Sequence, residues 1–202
     1  TAANMSLYGG NEGLVNLTSG DNNVAVGDQS LADTTTGSQN TAIGEMSLKS
    51  NTTGAGNTAL GRFSLYSNST GGDNVAVGVG ALTANIEGSQ NTAIGSAAGS
   101  NNVTGTGNVF IGYMAGSQTS GSNMLVIDNS STNTPLIYGD FAQDSVTVNG
   151  TLNVTGGLNV ATMGMDEIVS TTGQRLLSYD QATGAIHIGQ SSMVFYDSSG
   201  AV

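Results

Sequence analysis

The sequence has no cysteine and no tryptophan, one proline, one histidine and only three cations among its 202 residues. Without cysteine there is no disulfide framework and no thiolate metal site. The cations Lys49, Arg62 and Arg175 are too few and too scattered to track a phosphate backbone, so nucleic acid is not an expected partner. Charged residues make up 8% of the chain, against about 25% in ordinary globular proteins. No apolar run approaches the ~18 residues of a membrane-spanning helix, so no membrane span is expected. The lone His187 alternates with Ile186 and Ile188, as a strand residue would. No nucleophile and base can be assembled around it, so no catalytic residue is assigned. No leader-like pattern follows Thr1, as expected of a mature product or a fragment.

What the chain does have is glycine, 31 residues of it, together with abundant Ser, Thr and Asn and a hydrophobic fraction of 37% in short clusters. Disorder goes with low hydrophobicity and high charge density, and this composition has neither. The net charge of −11 comes from scattered acids. They keep a long surface soluble and discourage side-by-side association.

The clusters recur. Asn-x-Ala-aliphatic-Gly stands at Asn23–Gly27, Asn40–Gly44, Asn57–Gly61, Asn74–Gly78 and Asn91–Gly95, and Asn108–Gly112 repeats it with Phe110 for Ala. The spacing is 17 residues each time. A glycine precedes each Asn by three residues, from Gly20 to Gly105, and a Leu column runs through Leu31, Leu48, Leu65 and Leu82 before becoming Gly99 and Gly116. Degenerate copies flank the array. Upstream, Ser6 falls one period before Asn23 and Gly10 before Gly27; downstream, Asn123–Ile127 arrives two residues early. Atypical end copies are what a stacked array needs as caps.

Alternation at period two, β-branched residues and glycine punctuation read as short strands and turns. Seventeen residues cannot bury a core alone, but coils stacked about 4.8 Å apart hydrogen-bond to one another and align equivalent residues in ladders. The Asn column is expected to form an amide ladder. The glycine columns are expected to supply positive φ. The aliphatic column Val26, Ile43, Leu60, Val77, Ile94 and Ile111 becomes an apolar ridge. The Ala column lies on the other strand face, and its small size suggests close approach by a neighbouring chain. A thin coil buries little by itself, so an oligomer is favoured, a homotrimer that hides apolar surface and strand edges.

The Asn-x-Ala-Ile-Gly units resemble the head repeats of trimeric autotransporter adhesins. They are similar, more closely still, to Gly/Asn/Thr-rich repeats in tail fibres and appendages of tailed phages. The resemblance spans roughly residues 20–127. It implies a parallel β-roll in a tight trimer, located on a virion or, alternatively, on a bacterial cell surface.

The remainder is consistent with a fibre. Apolar pairs recur every six residues at Val146/Val148, Leu152/Val154 and Leu158/Val160, resembling a narrow β-helical shaft. Leu176–Ile188 reads as a hairpin around Thr183-Gly184, and Met193–Tyr196 as a further strand. Met163–Ile168 reads as a short helix or a turn. The expected organisation is a cap (1–19), a 17-residue-repeat β-solenoid (20–127), a junction (128–145) whose Leu136–Gly139 and Phe141 plug the solenoid, a six-residue-repeat shaft (146–161) and a C-terminal hairpin region (162–202).

Sites for chemistry are weak. Gly105-Thr106-Gly107 lacks the helix a phosphate loop needs. Asp21-Asn22-Asn23 and Asp73-Asn74 carry oxygen ligands suited to calcium, but the acid is missing from other repeats, so capped turns are preferred. Asp28, Asp33, Glu45 and Glu87 sit in different columns, so no paired-carboxylate site is expected. No metal and no cofactor are assigned. Phe63, Tyr66 and Tyr113 depart from the repeat and are the candidates for surface contact with a glycan or protein, although packing is the favoured role of Phe63 and Tyr66. Phe110 is expected to close the stack. The expected function is a stiff trimeric fibre segment that attaches to a host and joins other fibre or tail proteins. The alternatives are an adhesin head and a self-assembling filament.

Overall fold

A computed structural model describes residues 5–7, 12–153, 155, 167–169, 175–180 and 185–188. The chain forms two compact units, Thr1–Leu152 and Asn153–Val202.

The first unit is built on one ten-stranded sheet whose strands lie in chain order. They are β1 (Met5–Leu7), β2 (Val24–Val26), β3 (Thr41–Ile43), β4 (Thr58–Leu60), β5 (Val75–Val77), β6 (Thr92–Ile94), β7 (Val109–Ile111), β8 (Met124–Ile127), β9 (Ile137–Asp140) and β10 (Ser145–Val148). Pairs from β1 to β8 are parallel. From β2 to β7 each residue pairs with the one 17 positions later, as Ala42 with Ala59 and Ala59 with Ala76. The protein is therefore all-β, with no helix among the described residues, and winds as a parallel β-solenoid of about six 17-residue turns.

Only three residues per coil are strand, yet the coils bond to one another beyond it. Leu48 N–H donates to Ser64 O at 2.9 Å, and Thr52 N–H to Ser69 O at 2.9 Å. The circumference closes through left-handed residues. Leu31, Leu48, Leu65 and Leu82 have φ of 50–52°, and Gln29, Met46 and Phe63 have φ of 52–59°. A left-handed leucine costs roughly 1–2 kcal/mol, and here it turns the side chain into the coil, where each of these leucines is fully buried.

The leucines meet the alanines. Ala25, Ala42, Ala59, Ala76 and Ala93 belong to the same buried cluster as Leu31, Leu48, Leu65 and Leu82. This corrects the expectation for the Ala column: alanine is small because its own coil is narrow, and it faces the leucines of that coil instead of a neighbouring chain. The two glycine columns also differ. Gly27, Gly44, Gly61, Gly78, Gly95 and Gly112 have φ of 117–137°, as expected. The Gly37 column lacks positive φ; a Cβ on Gly37 would lie 2.5 Å from Gly54 O, so close approach of coils demands glycine there.

Both ends break register. β1 pairs Ser6 with Ala25, so Ser6 stands in the Ala column and not, as spacing suggested, in the Asn column. β8 pairs Val126 with Phe110, so Met124 stands beyond Asn108 and Asn123 takes the left-handed place of Gly107, at φ 61°. The chain then reverses. β9 pairs antiparallel with β8, and β10 with β9. Tyr138 in β9 packs against the solenoid core, while Leu136 and Phe141, expected as plugs, stay about half exposed at 53% and 48%. Val146 and Val148 of the first six-residue pair lie in β10. Leu152 is exposed; Val154, Leu158 and Val160 lie outside the described residues.

The second unit holds a three-stranded antiparallel sheet of β11 (Glu167–Val169), β12 (Arg175–Asp180) and β13 (Ala185–Ile188). β12 and β13 are the expected hairpin, with Asp180 paired to Ala185 and His187 to Ser178. Glu167 and Ile168 are strand, where a short helix or turn was expected; Met163–Asp166 and Met193–Tyr196 lie outside the described residues.

Candidate functional site

The repeat asparagines form the expected ladder inside the coil. Asn23, Asn40, Asn57, Asn74, Asn91 and Asn108 are all buried. The Asn74 side-chain NH2 donates to Asn57 Oδ1 at 3.0 Å and to Gly88 O at 2.8 Å. Its own Oδ1 accepts from the Asn91 backbone N–H and NH2, both at 3.0 Å. Each amide thus holds the coil on either side. The row ends where Met124 N–H donates to Asn108 Oδ1 at 2.9 Å.

A second ladder runs through Asn51, Asn68, Asn85 and Asn102, linked by amide bonds of 2.8–3.1 Å. Sequence reasoning missed it, although its 17-residue spacing is visible in the sequence. The two ladders converge on one row of carbonyls. Gly88 O accepts from Asn74 and Asn85, and Gly105 O from Asn91 and Asn102. A buried amide without partners costs about 1–3 kcal/mol, so these two rows set register as well as stability.

Of the residues named with the calcium alternative, Asn23 and Asn74 are committed to the ladder. Asn23 Oδ1 accepts from Asn40 N–H at 3.0 Å, and Asn74 is committed as described. No cluster of three or more His, Asp or Glu suited to a metal occurs among the described residues. Gly105 O is taken by the ladders, and Gly105-Thr106-Gly107 forms part of a coil corner.

The outer surface carries the remaining chemistry. The strands turn Ala inward and two rows outward. One runs Val24, Thr41, Thr58, Val75, Thr92 and Val109, and the other is the aliphatic ridge. Ile43, Leu60, Ile94 and Ile111 are 37–45% exposed, and neither row holds a charge. Phe63 and Tyr66 are both half-buried and meet edge to face with centroids 5.6 Å apart. Arg62, paired with Glu45 at 2.9 Å, lies 4.1 Å over the Phe63 ring. Tyr113 stands apart from them and is exposed.

Comparison with protein-family models, with curated proteins and with solved structures finds no match in any of the three.

Proposed function

We propose that this chain is a structural segment of an extracellular fibre, of the kind carried by tailed-phage tails and appendages. In this reading three copies associate as a stiff spacer that holds a host-attachment element away from the particle. The observation that carries the reading is the stack itself. Each coil repeats the strand direction and register of the one before, so length grows by about 4.8 Å per 17 residues. Six such coils make a rod of roughly 30 Å. Its outward sheet face is uncharged and carries an aliphatic ridge, and burying that ridge supports association with further copies.

The chain acts in this reading by shape and not by chemistry, without cofactor or metal. Its partners are itself, adjoining fibre or tail proteins and a host surface component. An adhesin head or an end-to-end filament would use the same coil.

Light scattering of the purified chain tests the trimer. Native protein is expected at three times the chain mass, falling to one chain mass in denaturant. A well-folded monomer at all concentrations would sink the reading.

A further inference from the structure

The surface of the solenoid changes character half-way along. Residues 20–73 hold seven Asp, Glu, Lys or Arg residues; residues 74–127 hold Glu87 alone. The column that begins Asp28, Glu45 and Arg62 continues as Val79, Ser96 and Tyr113. The column that begins Thr35, Thr52 and Ser69 continues as Ile86 and Val103. Ile86, which precedes Glu87, is 41% exposed, and Val103 is 44% exposed.

Coils four to six therefore present two separate aliphatic rows. One is the aliphatic ridge of the sheet at Ile94 and Ile111. The other is Ile86 and Val103, nine positions further round the coil from Val77 and Ile94. Coils one to three present only the first.

Two rows suit a particular geometry. A closed ring of three copies needs a head-to-tail contact, in which one patch of a chain meets a different patch of the next. Copies of a chain with net charge −11 repel one another, and the repulsion is least where acids are fewest. A partner of the same chain also has the same rise per coil, so its rows match in spacing along the whole contact. A charged or irregular partner lacks both properties.

We infer that copies of this chain associate through coils four to six, with the sheet row around Ile94 of one copy against the Ile86/Val103 row of the next. The inference rests on the trimer reading and adds its location and its head-to-tail pairing. The occupant is a second copy of this chain. The first three coils, where all the solenoid's charges but Glu87 lie, stay outside the contact.

The test is light scattering over a dilution series of the full chain, with circular dichroism to report folding. Ile94→Glu and Val103→Glu change exposed positions. Each is expected to raise the concentration for half-dissociation at least tenfold with an unchanged spectrum. Thr53→Glu, in the column where Glu87 stands naturally, is expected to shift it less than threefold. The combination Ile94→Lys with Val103→Glu is expected to restore association above either single variant, because the two new charges face each other between copies. A wild-type trimer unaffected by both single glutamates would overturn the contact and leave the trimer standing, as would failure of the double variant to recover. A wild-type monomer would remove the trimer itself.

Discussion

The Phe110 ring fills the space that leucines fill in earlier coils, and Gly116 is the residue whose missing side chain lets it in. Phe110 replaces the inward Ala and is fully buried. A Cβ on Gly99 would lie 2.5 Å from the ring, and one on Gly116 would overlap it more closely still. Both glycines stand in the Leu column. Large has moved to the Ala column and small to the Leu column, so core volume is kept while the chemistry changes sides.

This exchange predicts strong non-additivity. Phe110→Ala is expected to cost about 3–5 kcal/mol by opening a cavity. Gly116→Leu alone is expected to destabilise by overpacking, on the order of 1–3 kcal/mol. The triple change Phe110→Ala, Gly99→Leu and Gly116→Leu restores the pattern of the earlier coils and is expected to recover most of the loss. Urea unfolding of the wild type, the three single variants and the triple measures it, and simple addition of the losses would contradict the exchange.

The ladders give a second prediction. Thr34 stands where Asn51, Asn68, Asn85 and Asn102 stand in later coils, and its Oγ1 is buried without a hydrogen-bond partner. Gly37 O accepts the Asn23 amide at 2.9 Å, whereas Gly54 O accepts both Asn40 and Asn51. Thr34→Asn would donate to Gly37 O and accept from Asn51. It is expected to stabilise by about 1 kcal/mol, seen as a rise in Tm of roughly 2–4 °C. Asn74→Ala, in mid-ladder, is expected to cost about 3 kcal/mol, because it strips partners from Asn57, Gly88 and Asn91. Equal small effects from the two changes would contradict the ladder's role.

How far the sequence discloses this structure depends on the kind of pattern. The Asn pentads announce both stacking and the amide ladder, because a strict period forces equivalent residues above one another. Which way Ala points was not legible from alternation, since period two separates faces without naming the inner one. The answer lay six columns away, in the leucines that share its core. The left-handed leucines were hidden for another reason: leucine disfavours positive φ, so no propensity predicts it there. The trace is indirect, in the glycines at 80, 99 and 116 that replace larger residues in the left-handed columns. The end registers were illegible because an offset of 19 or 16 residues imitates a degraded copy at 17. Of the candidate surface residues, Phe63 and Tyr66 meet each other as packing would have it, and Tyr113 does not join them.

Glycine and alanine in neighbouring columns should respond oppositely. Gly78 has φ 133°, and a Cβ there would lie 2.5 Å from Gly95 O. Gly78→Ala combines strain with a clash and is expected to cost about 3 kcal/mol or more. Ala97 has φ 55° in the column where Gly80 stands. Ala97→Gly relieves roughly 1–2 kcal/mol of left-handed strain and loses about 0.4–1 kcal/mol through the freer unfolded chain. The expected net is a small gain in stability. A clear loss at Ala97, measured by thermal unfolding, would contradict the left-handed assignment.

The one ion pair among the described residues should matter little. Glu45 and Arg62 are 44% and 54% exposed, so water and salt screen their 2.9 Å contact. Glu45→Gln is expected to change stability by less than about 0.5 kcal/mol, and the change should vanish in high salt. Arg62→Ala also removes the guanidinium from the Phe63 ring, 4.1 Å away. That contact adds about 0.5–1 kcal/mol at an exposed site and depends less on salt. Arg62→Ala is therefore expected to cost more than Glu45→Gln, with the difference surviving at 1 M salt, where the Debye length is about 3 Å. Denaturant unfolding at low and high salt separates the two terms. Identical costs for both variants would mean that the ring stack contributes nothing.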